Sequence, residues 1–174
     1  MIIRKVTASD NFETIGEIYA SSWKASYRNI IPQDYLDNLK GSRWATRIAK
    51  SQYTAFVVME GEKYIGTSSI SPARDEELQG WGEIISIYVL PEYFGKGYSQ
   101  PLLEHVIGAL AKQGYNDIYL WVLSENARAR RFYEKNGFQK TSHIKNITIG
   151  GKDLKEIRYS KHLSPQTPFS TQQK

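Results

Sequence analysis

The run Ile84–Leu103, IISIYVLPEYFGKGYSQPLL, constrains this chain more than any other stretch. It reads as a strand rich in β-branched residues, then a tight glycine-containing loop, then the start of a helix. Strand and helix are thus joined directly here, as one step in a chain that mixes the two kinds of element. Such a loop leaves several backbone N–H groups unpaired and pointing one way, at the positive end of the helix dipole. That arrangement binds phosphate. Gly95 and Gly97 can take positive φ and let the backbone approach a ligand closely, and Lys96 between them adds a cation. Taken alone, a Gly-Lys-Gly turn is first of all a structural turn. Two other phosphate motifs are excluded. No GxxxxGK string followed by Ser or Thr occurs, and Gly95–Gln100 lacks the third glycine of a dinucleotide fingerprint.

Around this run the elements are predicted in the order β-α-α-β-β-β-α-β-α-β-β. A strand at Ile2–Val6 precedes an amphipathic helix from about Ser9 to Trp23, with Phe12, Ile15, Ile18 and Tyr19 at helical spacing. The segment Tyr27–Leu39 holds a turn at Ile31–Pro32 and then a short helix, since Pro32 suits the first helical position, and another short helix runs over Ser42–Lys50. Thr54–Glu60 and Lys63–Ser71 form a hairpin across Gly61 and Glu62. Pro72–Gly80 is polar and loop-like. Trp81–Leu90 is a central strand, and Leu102–Lys112 a helix with Pro101 in its first turn and Gly114 past its end. Tyr115–Leu123 is a strand, Asn126–Asn136 a helix closed by Gly137, and Phe138–Ile149 and Asp153–Lys161 a final pair of strands. One domain is expected over residues 1–163, followed by a disordered tail over 164–174 that is poor in apolar residues.

The composition, 40% hydrophobic and 24% charged, is that of an ordinary globular domain. Apolar runs fall far short of the roughly 20 residues that span a bilayer, and MIIRKV passes into a charged stretch without a secretory h-region. With no cysteine, disulfides, thiolate zinc sites and a cysteine nucleophile are excluded, and a cytoplasmic location is expected. Charge is uneven. Residues 1–127 carry a net −3 and residues 128–174 a net +8. A basic final third is a solvated surface or a seat for an anionic ligand. No nucleic-acid motif accompanies it, so neither nucleic acid nor a membrane is expected as partner.

Val89–Leu103 resembles the acetyl-CoA pyrophosphate loop of GNAT (GCN5-related) N-acetyltransferases, in which Arg/Gln-x-x-Gly-x-Gly/Ala follows a strand ending in Val-x-Pro. Here Phe94 stands at the Arg/Gln position, Gly97 at the central glycine and Ser99 at the last small residue, so two of three signature positions depart from the pattern. A second stretch, Leu120–Phe138, LWVLSENARARRFYEKNGF, is similar to the family's other cofactor motif, an Asn after the fifth strand and a helix bearing Phe-Tyr-Glu-Lys before Gly-Phe. Together the two motifs, in order and at the right separation, identify residues 2–163 as similar to the superfamily. The fold implied is a mixed, mostly antiparallel seven-stranded sheet flanked by about four helices.

The resemblance implies acetyl-CoA as cosubstrate, no metal, and transfer of acetyl to a primary amine of a small molecule, amino acid or peptide by direct attack in a ternary complex. It places Tyr88 and Val89 along pantetheine, and the amides of Phe94, Gly95, Lys96, Gly97, Tyr98 and Ser99 on pyrophosphate. Asn126 also falls on the pantetheine arm, and of the cations on the helix after it, Arg128, Arg130, Arg131 and Lys135, one or more would reach the 3′-phosphate, Arg130 first among them. Tyr133 would protonate the departing thiolate. A phenol of reference pKa about 10 can do so for a thiol near 8.5 if held close. Glu83 takes the position of a carboxylate facing the acceptor, and the Val89 N–H that of the oxyanion donor. Trp23, Tyr27, Arg28 and Trp81 are the expected acceptor-site residues. Aromatic walls with Glu83 suit a cationic amine, whereas Arg28 suits a carboxylate. The segment Ser22–Pro32 is similar to one in uncharacterised bacterial members and names no substrate. A catalytically weak CoA-binding regulator is the alternative that the Phe94/Ser99 loop keeps open. A homodimer is expected by analogy with the family alone.

Overall fold

The computed structural model describes residues 1–50 and 52–163, and the tail expected to be disordered, 164–174, lies outside the described residues. The chain forms β1 (Ile2–Lys5), α1 (Phe12–Ser26), α2 (Gln33–Asp37), α3 (Ser42–Lys50), β2 (Thr54–Glu60) and β3 (Lys63–Pro72). There follow β4 (Gly82–Val89), α4 (Ser99–Lys112), β5 (Asp117–Leu123), α5 (Ala127–Lys135), β6 (Gln139–Ile149) and β7 (Lys152–His162). Five α-helices appear where about four were expected, because α2 and α3 stay separate. Local chemistry sets several ends. Asn11 caps α1 by accepting from the Thr14 N–H (3.0 Å), so this helix starts and ends three residues later than its apolar spacing suggested. Pro32 sits at the cap of α2 rather than at its first turn. The polar Pro72–Gly80 segment contains a 3-10 turn at Glu76–Leu78.

The strands form one sheet in the order β1-β2-β3-β4-β5-β7-β6. Every neighbouring pair is antiparallel except β4 and β5, which run parallel. One face carries α1, α2 and α3 over a core that includes Ile15, Tyr19, Leu36 and Trp44. The other face carries α4 and α5 over Leu102, Leu103, Val106, Leu110 and Phe138. Apolar burial of this kind stabilises each layer by about 25 cal/mol per Å².

The defect that matters lies at the centre of the sheet. Only Gly82↔Ile118 and Glu83↔Tyr119 pair β4 with β5, and beyond them the strands part. An extra residue, Ile85, is accommodated in β4 between Ile84 and Ser86 against consecutive Ile70 and Ser69 of β3. A bulge bends its strand and increases the local twist, which turns β4 away from β5. Gly82 closes the base of the resulting V. A Cβ there would meet a terminal methyl of Leu110 at 2.8 Å and the Tyr115 ring at 3.2 Å, so any larger residue would push these side chains of the α4 layer aside. Among the described residues no helix is long and apolar enough to cross a membrane.

Candidate active site

The V between β4 and β5 opens into a cleft of about 280 Å³, walled by residues 84–89 and 120–123 and closed at its sides by α5 and the end of α1. On β4 the Leu90 N–H donates to Ile65 O (2.9 Å), which fixes the alternation of the ladder. Leu90, Tyr88 and Ser86 therefore turn their main chain toward β3, while Val89 and Ile87 turn theirs into the V, where no strand lies opposite. The Val89 carbonyl is occupied by the buried Ser22 hydroxyl (2.7 Å), and its N–H faces the opening. Tyr88 thus offers the cleft its ring, and the free main chain beside Val89 is that of Ile87.

At the mouth of the V, Gly95 and Gly97 both take positive φ, 73° and 87°. The N–H groups of Gly95, Gly97, Tyr98, Ser99 and Gln100 have no hydrogen-bond partner among the described residues, whereas those of Phe94 and Lys96 close the turn onto Pro91 and Tyr93. Unpaired donors at the start of the 14-residue α4 make an anion cradle. Phe94 and Ser99 line the cleft. The Lys96 ammonium stands over the Tyr93 ring, and the Tyr98 hydroxyl donates to Glu60 (2.6 Å), so neither side chain turns toward the cleft.

Asn126 spends its Oδ1 on capping α5 through the Ala129 N–H (3.1 Å), which leaves its Nδ2 as a donor on the cleft wall. Tyr133 lines the same wall, packed edge-on against Phe132 and Phe138. Burial, and then the neighbouring Tyr88, push its phenol well above the ordinary value, so it stays protonated. The Tyr27 phenol, 3.3 Å from that of Tyr88, is pushed up to about 12 mainly by burial. Arg130, the arginine chosen from the sequence, is turned away: Tyr159 and the Ser124 carbonyl hold it at 3.2 and 2.9 Å. Arg128 lines the cleft instead, its guanidinium 4.0 Å from the centre of the Phe94 ring. Phe94, where a basic or amide side chain was expected, thus seats a neighbouring arginine by cation–π contact.

On the α1–α3 face lies a second cavity of about 720 Å³. It shares Trp23, Ile85, Ser86 and Tyr88 with the first, so one layer of side chains separates the two spaces. Of the residues expected to line an acceptor site, Trp23 lies between the cavities and Tyr27 on the cleft side. Arg28 and Trp81 line neither. Arg28 is exposed just beyond α1, and Trp81 lies at the closed base of the V. Glu83 is not an open carboxylate. It is 2% exposed, takes bonds from Nε and Nη2 of Arg74 and from the Tyr119 hydroxyl (2.9 Å), and lines neither cavity. Ser22 was missed, although a serine in the stripe Ile15, Ile18, Tyr19 signals a buried polar role. Among the described residues no group of three or more His, Asp or Glu side chains could hold a metal.

A sheet parted between parallel strands, an anion cradle at its mouth and a phenol on its wall define an acyl-CoA-dependent transferase. The chain belongs to the acetyltransferase (GNAT) family, whose model matches residues 12–138, and it is an acetyl-CoA-dependent N-acetyltransferase. It is 28% identical over 163 residues to the uncharacterized N-acetyltransferase YuaI of Bacillus subtilis, covering 90% of this chain and 91% of the relative. It is 26% identical to a spermidine N(1)-acetyltransferase of Thermoplasma acidophilum, over 79% of this chain and 87% of that one. The fold matches the crystal structure of the PaiA N-acetyltransferase from the same organism in complex with coenzyme A. There the TM-score is 0.73 at 24% identity, with 92% of this chain and 98% of that chain covered.

Proposed function

We propose that the chain transfers acetyl from acetyl-CoA to a primary amine by direct attack in a ternary complex assembled across the layer that divides the two cavities. The observation that carries this is the parted β4–β5 edge with its free Val89 N–H, continuous with the unpaired amides of residues 95–100. Bound there, the thioester supplies an activated acetyl group. The amides at the start of α4 would hold the pyrophosphate, Arg128 a further phosphate, and Asn126 Nδ2 and Ile87 the amides of the pantetheine arm. The Val89 N–H donates to the carbonyl oxygen as it gains charge. Tyr133, kept protonated by burial, gives its proton to the sulfur as the bond to the acetyl carbon breaks, and the nitrogen newly bonded to that carbon sheds its surplus proton to water through the open larger cavity. The amine enters from the larger cavity past Trp23, Ser86 and Tyr88. Glu83, with both oxygens held, fixes Arg74 in place instead of taking a proton from the amine.

Thermal unfolding with acetyl-CoA, against NAD and ATP as controls, tests the cofactor reading. Ligand at about 100 times its dissociation constant stabilises by about 2.7 kcal/mol, or roughly 5–10 °C for a domain of this size. A shift with acetyl-CoA alone is expected, and none at saturation would refute the reading. A homodimer remains part of the proposal: β6 ends the sheet order with Ile144 55% exposed, and a second copy would pair there, as light scattering would reveal.

A further inference from the structure

The larger cavity is the wrong sign for a polycation. Its charged lining consists of Arg47 and Lys50 from the last turn of α3 and Arg74 from beyond β3, and no carboxylate lines it among the described residues. Glu83, the acid that sequence placed against the acceptor, is behind Arg74 and consumed by it. Arg47 and Lys50, both exposed, have no ion-pair partner among the described residues. Arg74 engages Glu83 through Nε and Nη2, and its guanidinium stands 5.7 Å from the centre of the Tyr53 ring, so it is a cation held in place on the cavity wall. Much of the remaining lining is aromatic, from Tyr19, Trp23, Trp44, Tyr53 and Tyr88, with hydroxyls at Ser69 and Ser86 that pair with Tyr19 (3.1 and 3.0 Å).

We infer that the acceptor is an amine bearing an anionic group, a carboxylate above all, and that Arg47, Lys50 and Arg74 receive that group while the amine points to the Trp23–Tyr88 wall. This rests on the reading that the cavity is the acceptor site, and it departs from the polyamine named for one relative. Guanidinium groups bind carboxylates through paired charge-assisted hydrogen bonds, and an aromatic floor covers the apolar part of an amino acid or short peptide. The same cations repel an ammonium ion and so favour the free amine that must attack. A fixed carboxylate base is then not required on the acceptor side, in keeping with Glu83 being sealed.

The test compares matched acceptors with acetyl-CoA: phenylalanine against phenylalaninamide, each corrected for its free-amine fraction, and spermidine. The acid is expected to exceed its amide in kcat/KM by roughly tenfold or more, with the difference mainly in KM, and to exceed spermidine similarly. In the double variant Arg47→Gln, Lys50→Gln the preference should collapse, with Tm and acetyl-CoA affinity unchanged because both residues are exposed and away from the cofactor cleft. Equal use of acid and amide, a preference for spermidine, or a preference that survives the double variant overturns the inference. So does turnover of none of the three while acetyl-CoA still stabilises the fold. Absence of that stabilisation is a different failure, that of the cofactor reading itself.

Discussion

Replacing Tyr133 with Phe removes one oxygen from the wall of the cofactor cleft and little else. The ring keeps its contacts with Phe132 and Phe138, at centroid distances of 5.4 and 5.8 Å. No hydrogen bond to the hydroxyl contributes to its shifted titration, and the group opens onto the cleft, so no partner is orphaned by its loss. The stability change should therefore stay under about 0.5 kcal/mol, a Tm shift within roughly 2 °C. The chemical step loses its proton donor, an effect of about 10²- to 10⁴-fold, or about 2.7–5.4 kcal/mol of barrier. Single-turnover release of CoA, followed with a thiol reagent, isolates that step from product release, and calorimetric titration of acetyl-CoA checks that binding persists. Because burial holds the phenol protonated, the wild-type pH profile should show no falling limb from Tyr133 between pH 7 and 9. A loss below tenfold with binding intact refutes the assignment of the proton donor. A falling limb near pH 8 that disappears in the variant refutes the argument from burial.

Glu83→Gln should lower stability by about 1–3 kcal/mol, since a buried acceptor of guanidinium and phenol hydrogen bonds is weakened, while kcat stays within about tenfold. A hundredfold loss of kcat at unchanged Tm would restore Glu83 as the base. Ser22→Ala strips the buried Val89 carbonyl of its donor and should cost about 1–2 kcal/mol in denaturant unfolding, while an unchanged midpoint would remove Ser22 from the support of this strand. Asp10 is held well below the usual carboxylate range, first by Arg4 and then, against the opposing effect of burial, by Tyr64 and Thr7. Its folded pKa is lower than its unfolded one, so its contribution is complete above the unfolded value, about 4, and fades as pH falls below it. Asp10→Asn should lower Tm at pH 7, and the gap between the wild-type and variant curves should begin to narrow as pH falls below about 4 and close only in strongly acid solution, below the folded value. Parallel curves would show that another group governs the acid limb.

What could be read in the residues is what local chemistry decides. The turn Gly95–Ser99 and the cap Asn126 lie within single strand–loop–helix runs, where a positive φ or one side-chain cap fixes the backbone with no help from distant chain. Both cofactor motifs, and with them the family, are therefore legible in sequence, as is the alternation that yields seven strands. The larger cavity was not legible. Arg74, Arg47, Trp23 and Tyr88 come together from the connection after β3, from α3, from α1 and from β4, and sequence spacing carries no information on which of them meet. Glu83 belongs by position to the acceptor face, yet Arg74 from across the β3–β4 connection and Tyr119 from β5 capture it, and packing alone decides that. The choice between Arg128 and Arg130 shows the same limit on one helix. Two residues apart, they point about 200° from each other, and Tyr159 on β7 selects the one that is lost to the cofactor. The width of the V itself depends on the bulge at Ile85, a register shift against β3 that becomes defined only once the two strands have paired.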